Sequence, residues 1–282
     1  MPKTRKRKSP VTDISRDDSS SSSSNPHASR TVIRRFHVLL KRQHQLQQGP
    51  TTAPISQELT EIDNEIQQLG GLSAYQRMSA VGQGNDRGGG SEKVFIKWLH
   101  EIGERDQRKG KKKLRLLEVG ALKPDNYESW SSWIENTPID LRSRHASILE
   151  QDFLLMDKTE NWEKWDAISL SLVINFVPDA KDRGRMLKMA WDMLTPEGLL
   201  FLALPLPCVD NSRYTTFDTL QSLMRAIGFA EIKVRWRKGG KMAYWLFRKD
   251  MSLSRKDATS EEFRRKTVHR QGNRNNFVVL LP

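Results

Sequence analysis

Gly120 and Asp140 stand 20 residues apart, in the stretches LLEVGALKPDNY and PIDLRS. An apolar strand that ends in glycine lets a ligand approach the backbone with no Cβ in the way. A carboxylate at the end of the next strand can accept both hydroxyls of a ribose. Together the two residues have the chemistry of a nucleoside site. A pyrophosphate loop needs further glycines, so that phosphates can sit against a helix N-terminus, and residues 116–127 contain only Gly120. The missing glycines disfavour NAD and favour S-adenosylmethionine (SAM), which carries no phosphate. Asp152 and Phe153 follow a third strand candidate, where a carboxylate can accept from an adenine amino group and a ring can cover the base. Ser171, in the fourth strand candidate, is grouped with them as a cofactor contact. Each residue has a plainer reading: a turn glycine, Asp140 as a helix cap, Phe153 as core. Their order and spacing favour the cofactor.

Positioning such a set requires a sheet whose strands end side by side. From residue 114 the pattern is of apolar runs alternating with helical ones, with strand candidates at 114–119, 137–141, 147–150, 166–174, 198–204, 230–236 and 242–248. Helices are expected around Trp130, Trp133 and Ile134, around Met186, Leu187, Trp191 and Leu194, and around Phe217, Leu220, Leu223, Met224 and Ile227. Alternating β and α with buried strands predicts a mainly parallel sheet covered on both faces. RKGGK separates the last two strands and reads as a hairpin. One antiparallel strand closing a parallel sheet is the terminal signature of a Rossmann-like class I methyltransferase, an α/β fold of seven strands.

Upstream, residues 30–69 read as two amphipathic helices, the second capped by Ser56 and ending at Gly70-Gly71. Both expose one apolar stripe and are expected to pack on the main domain. YQRMSAVGQGNDRGGG is glycine-rich but follows no strand, so it is not a phosphate loop. Ser91 then opens a helix carrying Val94, Phe95, Trp98, Leu99 and Ile102. The domains expected are a disordered basic and Ser-rich tail at 1–29, a helical extension and linker at 30–110, a SAM-binding domain at 111–249, and a basic C-terminal tail at 250–282.

The chain has 282 residues, with 47 basic against 34 acidic side chains, a net charge of +13 and a pI near 9.9. Such a surplus points to a polyanion, RNA or DNA before a membrane surface, or to a merely solvated basic surface. Cys208 is the only cysteine, which excludes an internal disulfide and a zinc site and suits a reducing compartment. No apolar run approaches the roughly 20 residues that span a bilayer, and no secretory h-region is present. An intracellular, soluble protein without a metal is the expectation. Lys3, Arg5, Lys6, Arg7 and Lys8 form either a nuclear address or a solvated tail.

LGGLSAYQRMSAVGQ, LLEVGALKPDN, IDLRS, EQDF, SLSLVINFVPD, RGRML and LFLALPLPCVDNSRY together resemble the fungal 25S ribosomal RNA adenine-N1 methyltransferases, over about residues 30–249. The resemblance implies a nucleolar class I methyltransferase acting on ribosomal RNA or a pre-ribosomal particle. It makes Gly120 and Asp140 the cofactor contacts, and Asp152 and Phe153 the adenine clamp. The single-glycine loop departs from the three-glycine form of the wider superfamily. An animal relative with the same motifs looks like a SAM sensor, so SAM binding alone does not establish catalysis.

Adenine N1 carries its own lone pair, so transfer to it needs alignment and no base, metal or covalent nucleophile. The target must be unpaired or flipped out. Asn175 and Phe176, in NFVP after the fourth strand, can read a base edge and stack on it, or be a helix cap and a core ring. Amino-N6 transfer is less supported, because the Asn-Pro-Pro-aromatic loop lacks its first proline here. Cys208 raises a cytosine-C5 alternative, in which a thiolate attacks the base, against an inert core thiol. Asn211, Ser212, Arg213 and Tyr214 are candidates for contacting RNA.

Overall fold

The computed structural model describes residues 26–47, 49, 52–71, 74, 90–108, 110, 112–143, 145–253 and 261–282. The basic N-terminal cluster, the serine run, the glycine-rich stretch before Gly90, two lysines of RKGKKK and Arg255 lie outside the described residues.

Seven strands form one sheet: β1 (Leu114–Val119), β2 (Ile134–Asp140), β3 (Leu149–Glu150), β4 (Trp165–Ser171), β5 (Leu194–Pro205), β6 (Phe229–Arg235) and β7 (Met242–Lys249). Their spatial order is β3-β2-β1-β4-β5-β7-β6. The first five are parallel, and β7 inserts antiparallel between β5 and β6. Successive residues of β1 face opposite sides, as a pleated strand requires. Leu114 and Leu116 join one apolar cluster and Leu117 and Val119 the other.

Helices cover both faces of the sheet. α1 (Pro26–Gln47) and α2 (Ala53–Gln68) precede α3 (Ser91–Glu101) and the short α4 (Glu104–Gln107); α5 (Ala180–Met193) and α6 (Phe217–Ile227) follow within the sheet's connections. Phe95, Trp98 and Leu99 of α3 cover one face, whereas α5 and α6 cover the other. Asp179 caps α5 by accepting from the Lys181 and Asp182 N–H groups. Thr216 and Thr219 form a reciprocal capping box on α6, which ends at the left-handed Gly228.

Several expectations are corrected. The helix expected around Trp130, Trp133 and Ile134 is a 3-10 turn at Glu128–Trp130 followed directly by β2. Ile134 pairs with Leu114 across the sheet, so the helical spacing there is shared between a turn and a strand. α1 begins at Pro26, four residues inside the expected disordered tail. α2 starts at Ala53 after Thr52, with a proline in its first turn; Ser56 is already helical. The stripes of α1 and α2 close on each other through Leu39, Leu46 and Ile62, in a cluster of their own. Arg35–Glu65 and Arg42–Glu58 pairs lace the two helices together.

The largest correction concerns the C-terminal segment, expected as a tail. Phe277, Val278, Val279, Leu280 and Leu281 are all buried, three of them in the α5–α6 side of the core. The segment lies so close to α5 that a Cβ on Gly184 would sit 2.0 Å from the Leu280 carbonyl oxygen. The Leu280 N–H donates to the Ala180 carbonyl at 2.9 Å. Arg270, part of the expected basic tail, donates through Nη1 to the carbonyls of Val209, Ser212 and Thr215. The methyltransferase fold therefore runs on into residues 261–282.

Candidate functional site

The carboxyl ends of β3, β2, β1 and β4 lie next to one another, with the strand order reversing between β1 and β4. Ligands of open α/β sheets bind at that reversal. Gly120 follows β1 with φ +74°, and its N–H donates to the Ile139 carbonyl at 2.8 Å. Asp140 is therefore its immediate neighbour on β2. The Asp140 carbonyl in turn accepts from the Gln151 N–H at 2.9 Å, which brings Asp152 alongside. Ser171 follows Leu170, the partner of Val119. Four of the residues singled out from sequence thus share one edge.

The edge suits a nucleoside. A Cβ at Gly120 would lie 2.9 Å from Val173 Cγ2, so only glycine keeps this approach open. Asp140 Oδ1 accepts from the Arg142 N–H at 2.9 Å, fixing the carboxylate at the strand end. Asp152 Oδ1 accepts from the Leu154 N–H at 2.8 Å and caps a 3-10 turn at Phe153–Leu155. Phe153 itself is buried in the core, so its ring packs against the sheet and does not line an open cleft. The Ser171 hydroxyl bonds the Ser91 hydroxyl at 2.8 Å, tying the start of α3 to the end of β4.

Beneath Gly120 lies a polar layer that sequence reasoning left without a role. Glu118 is 7% exposed and accepts from Asn126 Nδ2 at 2.6 Å and Asn136 Nδ2 at 2.8 Å. Burial pushes its carboxyl up to about 7, against the two amide donors, with Glu92 and Asp125 adding to the rise. A raised acid pKa means that the folded state favours the protonated form. The associated stability is full below the unfolded value near 4.5 and is lost as pH rises through about 7. Protonated Glu118 can also donate to Asn136 Oδ1, a buried atom without a hydrogen-bond partner among the described residues, once that amide turns over. Between about pH 5 and pH 8 the wild type is expected to lose roughly 2–3 kcal/mol through this group. Urea titrations should show that loss and a flatter profile in Glu118→Gln; parallel profiles would exclude Glu118 as the cause.

The loop after β4 carries Asn175 and Phe176 to the same edge. Leu172 at its start adopts φ +59°, a left-handed conformation that costs a non-glycine residue about 1–2 kcal/mol. Asn175 Oδ1 is buried without a hydrogen-bond partner among the described residues. Phe176 is half-buried. The loop is held by Arg183, which the sequence offered only as part of RGRML. Its Nε and Nη2 donate to the Val177 and Pro178 carbonyls at 2.9 and 3.2 Å, and its Nη1 to Val278 at 2.6 Å. Burial drives this guanidinium down to about 10, although Cys208 and Asp179 oppose the shift.

Arg213 does not join the set. Its Nη2 donates to the Gly272 carbonyl at 3.0 Å, turning it toward the C-terminal segment. Ser212 is buried and donates to Phe277. Cys208 is buried in the core. Among the described residues no cluster of His, Cys, Asp and Glu could hold a metal ion, and no helix is long and apolar enough to cross a membrane.

Strand order and antiparallel closure define the fold of a class I SAM-dependent methyltransferase. The chain belongs to the 25S rRNA (adenine(2142)-N(1))-methyltransferase family (Bmt2), whose model matches residues 60–279. It is 34% identical over 254 residues to the 25S rRNA adenine-N(1) methyltransferase of Schizosaccharomyces pombe, covering 88% of this chain and 89% of that one. To the 25S rRNA (adenine(2142)-N(1))-methyltransferase of Saccharomyces cerevisiae it is 32% identical over 257 residues, covering 90% and 73%. Among solved structures, the 1,6-didemethyltoxoflavin-N1-methyltransferase of Burkholderia thailandensis is 14% identical with a TM-score of 0.47, over 72% of this chain and 92% of that one.

Proposed function

We propose that the protein transfers the methyl group of SAM to N1 of an unpaired adenine in large-subunit ribosomal RNA, acting in the nucleolus on RNA or a pre-ribosomal particle. Family membership names the reaction, and the side-by-side placement of Gly120 and Asp140 supports its cofactor. Gly120 gives the nucleoside close access to the backbone. Asp140 receives the ribose hydroxyls, Asp152 the adenine amino group, and Ser171 with Ser91 borders the pocket. SAM, when bound there, supplies an electrophilic methyl on sulfur.

The chain's own work is alignment. Adenine N1 presents a lone pair and loses no proton during transfer, so no side chain has to act as a base. Asn175 can accept from the exocyclic amine of the target through its unpartnered Oδ1, which orients the ring. Phe176 can stack on it. Arg183 holds the loop that bears both, a positioning role that lowers the entropy lost on alignment.

The test is direct. Purified protein, SAM and an unpaired RNA oligonucleotide with one adenine should yield 1-methyladenosine, identified by mass spectrometry of nucleosides. SAM binding with no methylated product on naked RNA or pre-ribosomes would favour the sensor reading. Because the thiol of Cys208 is buried and N1 chemistry needs no covalent step, Cys208→Ser should keep its rate within a few-fold of wild type. A trapped RNA–cysteine adduct, and loss of activity in a folded Cys208→Ser protein, would establish the cytosine-C5 reaction instead.

A further inference from the structure

The hairpin tip RWRKGGK joins β6 to β7 and contributes none of the residues assigned to the cofactor. Its position follows from the pairing. β7 runs antiparallel to both β5 and β6, so β6 points the same way as the parallel strands. Arg235, at its end, therefore emerges on the edge that carries Gly120 and Asp140. The Leu206 N–H, just past β5, donates to the Lys241 carbonyl at 2.8 Å and fixes the tip against that edge. β6 lies three strand spacings from β4, about 14 Å. That is too far for the target base and suits a nucleotide flanking it.

The tip has the composition of a single-strand binding surface. Trp236 is 46% exposed, although a tryptophan is ordinarily buried for most of its area. Phe217 backs it with ring centroids 4.7 Å apart and planes at 29°. Because Phe217 opens α6 next to the loop after β5, the tryptophan stands on a fixed support. Arg235, Arg237, Lys238 and Lys241 lie beside it in the hairpin sequence and are exposed. Lys233 is paired with Glu101 at 3.1 Å, but among the described residues no carboxylate bridges any of these four. A supported, half-exposed aromatic ring among unneutralised cations matches what unpaired nucleic acid offers: a base face and its phosphates.

We infer that the β6–β7 hairpin is an RNA-docking platform on which Trp236 stacks a base flanking the target adenine while Arg235, Arg237, Lys238 and Lys241 hold the adjoining phosphates. This deepens the proposed rRNA methyltransferase function and rests on it. In other basic segments the fold already uses its arginines. Arg108 pairs with Glu104 and Asp166. Arg270 and Arg274 bond within the C-terminal region and the loop after β5.

The experiment uses the full chain and a short single-stranded RNA with one central adenine. Trp236→Ala should weaken RNA binding on the order of ten-fold, raise KM for RNA, and leave kcat and SAM affinity near wild type. Trp236→Phe should restore most of the binding, which separates stacking from a folding defect. Arg237→Glu with Lys238→Glu should reduce the salt dependence of binding by about 0.7 in log–log slope for each lost contact. Unchanged RNA affinity and salt slope in these variants, in a wild type that methylates the RNA, would overturn the platform and leave the enzyme reading intact. A wild type that neither binds nor methylates RNA would overturn both. Loss of binding to an acidic protein, with RNA binding unchanged, would likewise overturn the platform.

Discussion

Gly120→Arg is expected to abolish SAM binding, and with it methyl transfer, in a protein that keeps its sheet. Two effects add. At φ +74° any Cβ-bearing residue carries about 1–2 kcal/mol of backbone strain. The side chain must also leave Gly120 past Val173, whose Cγ2 would be 2.9 Å from the new Cβ, and so fills the approach to the backbone that glycine keeps open. Calorimetry should detect no SAM binding while far-UV circular dichroism stays near wild type. Asp140→Ala at the neighbouring position should weaken binding by about 1–3 kcal/mol, since a ribose hydroxyl loses its acceptor. Two folded variants that bind SAM like the wild type would exclude this edge as the cofactor site.

Removing residues 277–282 is expected to prevent cooperative folding altogether. Phe277, Val278, Val279, Leu280 and Leu281 are all buried. At about 1.5–3 kcal/mol for each fully buried large side chain, their loss rivals the roughly 5–15 kcal/mol that stabilises a whole domain. The truncation also uncovers α5 and leaves Arg183 Nη1 and the hydroxyls of Ser212 and Thr215 without the carbonyls they now bond. Thermal melts should show no cooperative transition, and gel filtration should show aggregates. A truncated protein that melts like the full chain would mean that the segment only decorates the surface.

The sequence announces some of these features and conceals others, for physical reasons. β1 is legible to the residue because an apolar run buried on both faces ends in a glycine with a steric duty. Gly120 and Asp140 could be paired in advance because parallel strands in register bring successive carboxyl ends together. The C-terminal segment was not legible. FVVLLP belongs to no strand, and side chains far away in sequence, such as Arg183 and Ser212, satisfy its carbonyls. Arg183 was equally silent, since its partners are backbone carbonyl oxygens, while the acids beside it in sequence are used elsewhere, Asp179 as the cap of α5 and Asp182 on Arg185. Trp130, Trp133 and Ile134 misled because three apolar residues at helical spacing are also what a 3-10 turn and a following strand need. The hairpin was evident from Gly239-Gly240, but its place on the edge that carries Gly120 and Asp140 follows only from the pairing of β7 with β5 and β6.

Arg183 has a consequence for the protein's motions. One guanidinium bonds the Val177 and Pro178 carbonyls of the loop after β4 and the Val278 carbonyl of the C-terminal segment. Opening either one strips partners from a buried guanidinium that the other also holds, so the two are expected to open together. Occupancy at one end is then felt at the other. If the proposed adenine site beside Asn175 is right, the amide of Leu280, bonded to Ala180, should act as a remote reporter, exchanging its hydrogen with solvent more slowly when RNA is bound.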